Sequence, residues 1–171
     1  ARYFKMAAEQ GDVVSMENMA TILDTGIGVP VDKKEAAKYF KMVADEGNID
    51  YMYNYALRCR NGDGIPVDKK EAAKYFKKAA DQGHLESIYN YAVMLDYGHG
   101  VTADKTEALK LYKVAADRGH VEAMFDYAVK MSAGDHVAKN KKEAARYYRM
   151  AADLGHREAC YNYSVMLRTG D

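Results

Sequence analysis

Glycine recurs in this chain on a fixed lattice. Gly11, Gly47, Gly83, Gly119 and Gly155 stand 36 residues apart, and Gly26, Gly62, Gly98, Gly134 and Gly170 form a second series with the same step. Gly28, Gly64 and Gly100 make a third, which His136 interrupts, and Pro30 and Pro66 share the step. A period of this length predicts a solenoid, in which each unit buries its apolar face only against its neighbours. All thirteen glycines fall on the lattice. None remains to cradle a phosphate, and the turn Gly62-Asp63-Gly64 is not followed by Gly-Lys-Ser/Thr.

Each period carries two helical patterns. Asp32-Lys33-Lys34-Glu35 recurs with Asp68 and Glu71, with Asp104 and Glu107, and with Asn140 and Glu143. A capping side chain followed three positions later by Glu marks a helix start. Good helix formers then run to Gly47, Gly83, Gly119 or Gly155, where glycine suits a helix C-terminus. A second helix follows at once, for example Leu85 to Tyr97. The column Asp12, Asn48, His84, His120 and His156 precedes these second helices, so its members, histidines included, are expected to be N-caps. The histidines sit on different repeats, too far apart to share one metal ion. The expected fold is all-α, a single domain over 1–171. Full repeats fall at about 12–47, 48–83, 84–119 and 120–155, with partial repeats at 1–11 and 156–171. The chain opens inside an outer helix and shows no polar capping repeat, so it reads as an excerpt of a longer array. Any targeting segment would lie outside it.

Composition narrows the functional classes. The 25 basic and 25 acidic side chains cancel, which argues against wholesale binding of nucleic acid or a charged membrane surface. No apolar run approaches the roughly 18 residues that a membrane-spanning helix needs. Two cysteines do not make a disulfide scaffold. Cys59 shares its column with Leu23, Leu95, Met131 and Leu167; Cys160 shares its own with Met16, Met52, Ile88 and Met124. Both are expected to be buried, unpaired and inert. That usage leans toward a reducing, cytoplasmic compartment.

Written out, one unit is Ser87, Tyr91-Ala92, Leu95, Gly98, Gly100-Val101, Asp104, Ala108, Leu111-Tyr112, Ala115-Ala116 and Gly119. The pattern resembles the Sel1-like repeat, a relative of the tetratricopeptide repeat, over essentially the whole chain. Ala20, Ala56, Ala92, Ala128 and Ser164 replace a family glycine, and the fourth turn, Gly134-Asp135-His136-Val137, lacks the second glycine. The resemblance implies a right-handed α-solenoid superhelix of antiparallel helix pairs that serves as a scaffold or adaptor for protein–protein interaction. One cysteine-rich bacterial branch is associated with lactamase-like activity. That branch pairs cysteines within each repeat, and this chain does not.

Comparison between repeats sorts the faces of the inner helix. Ile88, Tyr91, Ala92 and Leu95 follow i, i+3, i+4, i+7 and form the expected buried stripe. The opposite stripe, positions 86, 90, 93 and 97, faces the concave groove in the superfamily. Its columns are Val14, Asp50, Glu86, Glu122 and Glu158; Asn18, Asn54, Asn90, Asp126 and Asn162; and Thr21, Leu57, Val93, Val129 and Val165. Glu17, Tyr53, Tyr89, Phe125 and Tyr161 flank them. An amide ladder matches the C=O and N–H of an extended peptide whatever its sequence, and the acidic column favours basic residues in it. Two other readings stand beside this one: the asparagines satisfy neighbouring helices, or the aromatic column packs between adjacent inner helices.

On the outer helix, Lys38, Lys74, Lys110 and Arg146 form one basic column and Lys41, Lys77, Lys113 and Arg149 another, extended by Arg2 and Lys5. The ridge suits an acidic partner or a solvated face, with Glu35, Glu71, Glu107 and Glu143 partly neutralising it. It lacks the interleaved aromatics that single-stranded bases stack on, so nucleic acid is disfavoured. The sequon Asn162-Tyr163-Ser164 falls inside a predicted helix, against glycosylation. No catalytic residues, cofactor or metal site are read. The expected function is a non-catalytic scaffold that binds a protein or extended peptide in its groove. The alternatives are an architectural array within a larger assembly and, remotely, a lactamase-like enzyme.

Overall fold

A computed structural model describes residues 2–170; Ala1 and Asp171, the outermost positions of the two partial repeats, lie outside the described residues. Ten α-helices follow one another, and no strand occurs among the described residues. They are α1 (Arg2–Ala8), α2 (Val13–Thr25), α3 (Lys33–Asp45), α4 (Ile49–Asn61) and α5 (Lys69–Asp81), then α6 (Leu85–Tyr97), α7 (Lys105–Asp117), α8 (Val121–Ala133), α9 (Lys141–Asp153) and α10 (Arg157–Thr169). Odd-numbered helices are the outer type, even-numbered the inner type. The chain forms two compact units, Ala1–His84 and Leu85–Asp171. Within each, every helix packs on the next in sequence. A residue of the second unit corresponds to the residue 72 positions earlier in the first, two 36-residue steps back.

The helices start where the capping chemistry requires. Asp32, Asp68, Asp104 and Asn140 each accept a hydrogen bond from the backbone N–H of the Glu three residues on, at 2.9–3.0 Å. Asp12 and Asn48 cap inner helices through Ser15 N and Tyr51 N. His120 and His156 do the same through Nδ1, which accepts from Ala123 N and Ala159 N at 3.2 Å. The expected capping role of these histidines is what the structure shows. At their C-termini α2, α4, α8 and α10 end on glycines of left-handed φ, for example Gly62 at 79°.

The turn after each inner helix needs a second left-handed residue. At Gly64, φ is 79° and an added Cβ would lie 2.1 Å from the Lys33 carbonyl oxygen, so conformation and space both demand glycine. At the corresponding position of the second unit His136 adopts φ 57°. The missing glycine of the fourth turn therefore leaves its backbone conformation unchanged and loads it with a side chain that tolerates this region only moderately.

Small and aromatic side chains make the core. Outer helices bury alanines (Ala36, Ala37, Ala72, Ala73, Ala108, Ala144) so that backbones approach closely, and lay Tyr39, Tyr75, Tyr112 and Tyr147 between them. Inner helices contribute Met16, Met52, Ile88 and Met124, with Ala20, Ala56, Ala92 and Ala128. The predicted stripe holds except at Tyr91, which is half-buried where Tyr55 and Tyr127 are buried. The expectation for the cysteines holds at Cys59 and fails at Cys160, which is exposed. Its column faces the following repeat, and no described helix follows α10. Leu167 is exposed for the same reason.

Candidate functional site

The amide column is oriented by its own helices. Asn18, Asn54 and Asn90 each donate one side-chain N–H to the carbonyl four residues back, at 2.7–2.8 Å. An amide has two N–H groups and a carbonyl, so this bond uses one donor and fixes the plane of the group. Asn54 is exposed and Asn18, Asn90 and Asn162 are half-buried. Asn162 meets the Tyr148 hydroxyl instead. Asp126 accepts from the Tyr89 hydroxyl at 3.1 Å. Burial pushes its carboxyl above the ordinary range, against the opposing pull of that hydrogen bond and of Lys130.

Two hollows gather members of the stripe. In the first unit Asn54, Leu57 and Asn61 line a hollow of about 200 Å³ with Arg58 and Asp63. In the second, Asn162, Val165 and Thr169 line one of about 390 Å³ with Tyr148, Tyr161 and Lys141 among others. Asn162, Val165 and Thr169 are Asn54, Leu57 and Asn61 moved on by three repeats. The acidic column lies beside them: Asp50, Glu86, Glu122 and Glu158 are all exposed. It also meets the capping histidines. His120 Nε2 stands 3.1 Å from Glu86 and His156 Nδ1 stands 3.5 Å from Glu158. Since His120 Nδ1 accepts a backbone N–H, its proton sits on Nε2 and is donated to Glu86.

The flanking aromatics pack between repeats. Tyr53 lies against Phe76 and His84, Tyr89 stacks on His120 at 4.3 Å, and Phe125 stacks on His156 at 4.5 Å. Of this column only Tyr161 is strongly exposed.

The basic ridge is neutralised where it stands. Lys38, Lys74, Lys110 and Arg146 pair with Glu35, Glu71, Glu107 and Glu143, at 2.5–3.8 Å. Lys41, Lys77, Lys113 and Arg149 pair with Asp45, Asp81, Asp117 and Asp153, at 2.6–3.7 Å. The first set of acids is the one expected from the sequence. The second stands at i+4, a spacing that places both groups on one helix face. A ridge that is basic on the outside is therefore corrected to a zipper of alternating sign.

Charged residues outside the predicted columns bridge consecutive inner helices. Arg58 of α4, which is buried, reaches Asp24 of α2 and Asp63 of the following turn, each at 2.6 Å, and its guanidinium lies over the Phe40 ring. Lys33 joins Asp24 at 2.8 Å. Burial alone would raise the Asp24 carboxyl, but the hydrogen bonds from Lys33 and Arg58 outweigh it and hold the group below the ordinary range. In the second unit Lys130 of α8 reaches Asp96 of α6 at 2.8 Å and Asp135 at 3.0 Å, and the Tyr112 hydroxyl donates to Asp96 at 3.5 Å. The signal that could have found them is a cation in a column otherwise made of Ile22, Met94 and Met166.

No helix among the described residues is long and apolar enough to cross a membrane. No curated protein matches the sequence. Among solved structures, the chain is similar to a protective antigen present in uropathogenic Escherichia coli strains that displays an SLR fold. Identity is 24% and the TM-score 0.85, over 98% of this chain and 36% of that one. It is also similar to a Sel1 repeat protein from Oxalobacter formigenes, with 30% identity and a TM-score of 0.79, over 93% of this chain and 65% of that one. Helicobacter pylori cysteine-rich protein B shares the fold at 22% identity and a TM-score of 0.59, over 76% of this chain and 93% of that one. The chain thus spans about a third of the first of these proteins and just under two thirds of the second. The fold class is the all-α repeat solenoid of these structures. The Sel1 repeat family model matches residues 1–12, 13–48, 49–84, 85–120, 121–156 and 157–171, a repeat in every 36-residue step, and the chain belongs to the Sel1 repeat family.

Proposed function

We propose that this Sel1 repeat chain is a non-catalytic scaffold that holds an extended segment of a partner protein along the asparagine-bearing stripe of its inner helices. Sel1 repeat proteins are generally protein-interaction scaffolds and generally non-enzymatic. The observation that carries the finer reading is the recurrence of one hollow at equivalent positions: Asn54, Leu57 and Asn61 in one unit, Asn162, Val165 and Thr169 in the other. Each offers an amide next to an aliphatic side chain. An amide held in place, by the Asp50 carbonyl of its own helix at Asn54 and by the Tyr148 hydroxyl at Asn162, loses little further freedom when a peptide arrives. The exposed acids Asp50, Glu86, Glu122 and Glu158 favour basic residues in that segment.

A second reading, an architectural array, is favoured by the packing of Tyr53, Tyr89 and Phe125 between repeats. The two readings separate on a tiled array of peptides, followed by affinity measurement on the best binder. Replacing Asn54, Asn90 and Asn162 together by Ala is expected to weaken that peptide at least about tenfold, the loss of one net hydrogen bond or more. Helicity should be retained. Undiminished affinity in the triple variant, or no peptide bound at all, would overturn the groove.

A further inference from the structure

The capping column changes chemistry between the units. In the first, Asn48 pins the start of α4 with an amide oxygen that accepts from Tyr51 N. In the second, His120 and His156 pin α8 and α10 with an imidazole nitrogen, Nδ1, which accepts from Ala123 N and Ala159 N. These N–H groups belong to the first turn, where the helix itself supplies no acceptor. The next donors along, Met124 N and Cys160 N, are the ones that reach the carbonyls of His120 and His156. Ala123 and Ala159 are fully buried, so a lost cap is poorly replaced by solvent. An amide oxygen accepts at any pH. An imidazole nitrogen accepts only while it is bare, and imidazole is the side chain that ordinarily gains its second proton between about pH 8 and about pH 5.

A carboxylate stands beside each bare nitrogen. Glu122 Oε2 lies 3.4 Å from His120 Nδ1, and Glu158 Oε2 lies 3.5 Å from His156 Nδ1. The other nitrogen of His120 already faces Glu86 at 3.1 Å. The His120 ring is buried and stacked on Tyr89, and the His156 ring is stacked on Phe125, so both are held in place. A proton arriving at Nδ1 therefore meets an acceptor without the ring having to turn. The titratable groups that meet His120 are Glu86 and Tyr89 of α6 and Glu122 of its own helix. On α7, which leads into it, Asp117 is taken up by Lys113 and Tyr147, and Arg118 is exposed. His156 meets Glu158 of its own helix and the charge of Asp126 on α8. On α9, Asp153 pairs with Arg149, and the neighbouring Arg157 is exposed.

We propose that His120 and His156 are proton-operated helix caps. The neutral ring accepts the backbone N–H and holds the first turn. The doubly protonated ring no longer accepts; its Nδ1–H is donated to Glu122 or Glu158, and the Ala123 and Ala159 N–H groups are released. The ring stays clamped while the helix start opens. The start of α4, capped by Asn48, does not respond. Acid thus loosens the inner-helix starts of the second unit and spares that of the first. The carboxylates engaged belong to the exposed acidic column, so the same proton also offsets charge on that stripe.

The test is amide hydrogen exchange by NMR on the 171-residue chain, with ring nitrogen shifts, at about pH 7.5 and about pH 5. The ring shifts are expected to show a bare Nδ1 and a protonated Nε2 at the higher pH, and two protonated nitrogens at the lower. Protection of the Ala123 and Ala159 amides, relative to an unstructured peptide at the same pH, is expected to fall about fivefold in acid, the worth of one N-cap. That of Tyr51 is expected to hold. His120→Asn and His156→Asn, each placing there the cap of α4, are expected to keep Ala123 and Ala159 equally protected at both pH values. A Nδ1 that stays bare at the lower pH overturns the proposal. So does full protonation with Ala123 still protected, an equal loss at Tyr51, or a loss that persists in the asparagine variants.

Discussion

The two units solve one problem with different residues. Both bridge consecutive inner helices with a cation between two carboxylates, at positions 72 residues apart. In the first, Arg58 spreads its planar fork over Asp24 and Asp63 and stacks on Phe40, while Lys33 supplies a second cation to Asp24. In the second, the smaller ammonium of Lys130 serves Asp96 and Asp135, and the ring in the place of Phe40 is Tyr112, whose hydroxyl donates to Asp96. The Asp96 side chain is 3% exposed, that of Asp24 22%. Guanidinium over a plain ring and ammonium beside a phenol are therefore alternative ways to satisfy one acid. The deeper acid depends on fewer cations, which makes the second bridge the more brittle.

The largest effect is expected from breaking the brittle bridge. Lys130→Met, the residue found at Met94 and Met166 of that column, leaves Asp96 buried without a cation and should cost about 3–5 kcal/mol in urea unfolding. Adding Asp96→Ser, after Ser132, should recover most of that loss, because no charge is then stranded. Gly64→Ala should cost at least about 2 kcal/mol, from a left-handed φ and a collision with the Lys33 carbonyl. Arg58→Met should cost only about 1–2 kcal/mol, since Asp24 keeps Lys33 and some solvent. Its penalty should also shrink in acid. Asp24 is held below its ordinary range, so its contribution is present above its unfolded value, about 3.9, and is lost as pH falls through the folded one. Relieving the left-handed φ, His136→Gly should stabilise the second unit by about 0.5 kcal/mol, measured by the same unfolding curves.

The smallest contrast lies at Asn54 and its counterpart Asp126. Burial raises the Asp126 carboxyl, so its charged form works against folding. The sign is opposite to that of Asp24. Relative stability is greatest below the unfolded value and is lost as pH rises through the folded one. Asp126→Asn is expected to melt at a higher temperature than wild type at neutral pH, with the gap closing in acid. A variant that melts lower at pH 7 would mean that the Tyr89 hydrogen bond needs the full charge.

Most of the helical frame is legible from single columns. Capping pairs, left-handed glycines and the apolar stripe depend on chemistry within four residues, so spacing alone locates Asp104, Gly62 or Ala92. The neutral ridge was legible too, in the i+4 spacing of Lys41 and Asp45, but only once both columns are read together. What spacing does not give is the partner of a group on another helix. Arg58 and Asp24 lie on consecutive inner helices, as do Tyr89 and Asp126, and which side chain reaches which follows from how the helices are set against each other.

By itself the sequence determined the all-α repeat, its step, its caps and its family, because each follows from a local backbone requirement repeated at a fixed interval. Only the tertiary structure decided which members of a column are covered. Tyr91 has the chemistry of its column and is half-buried where Tyr55 and Tyr127 are buried, since burial belongs to the neighbour that packs against a residue and not to the residue.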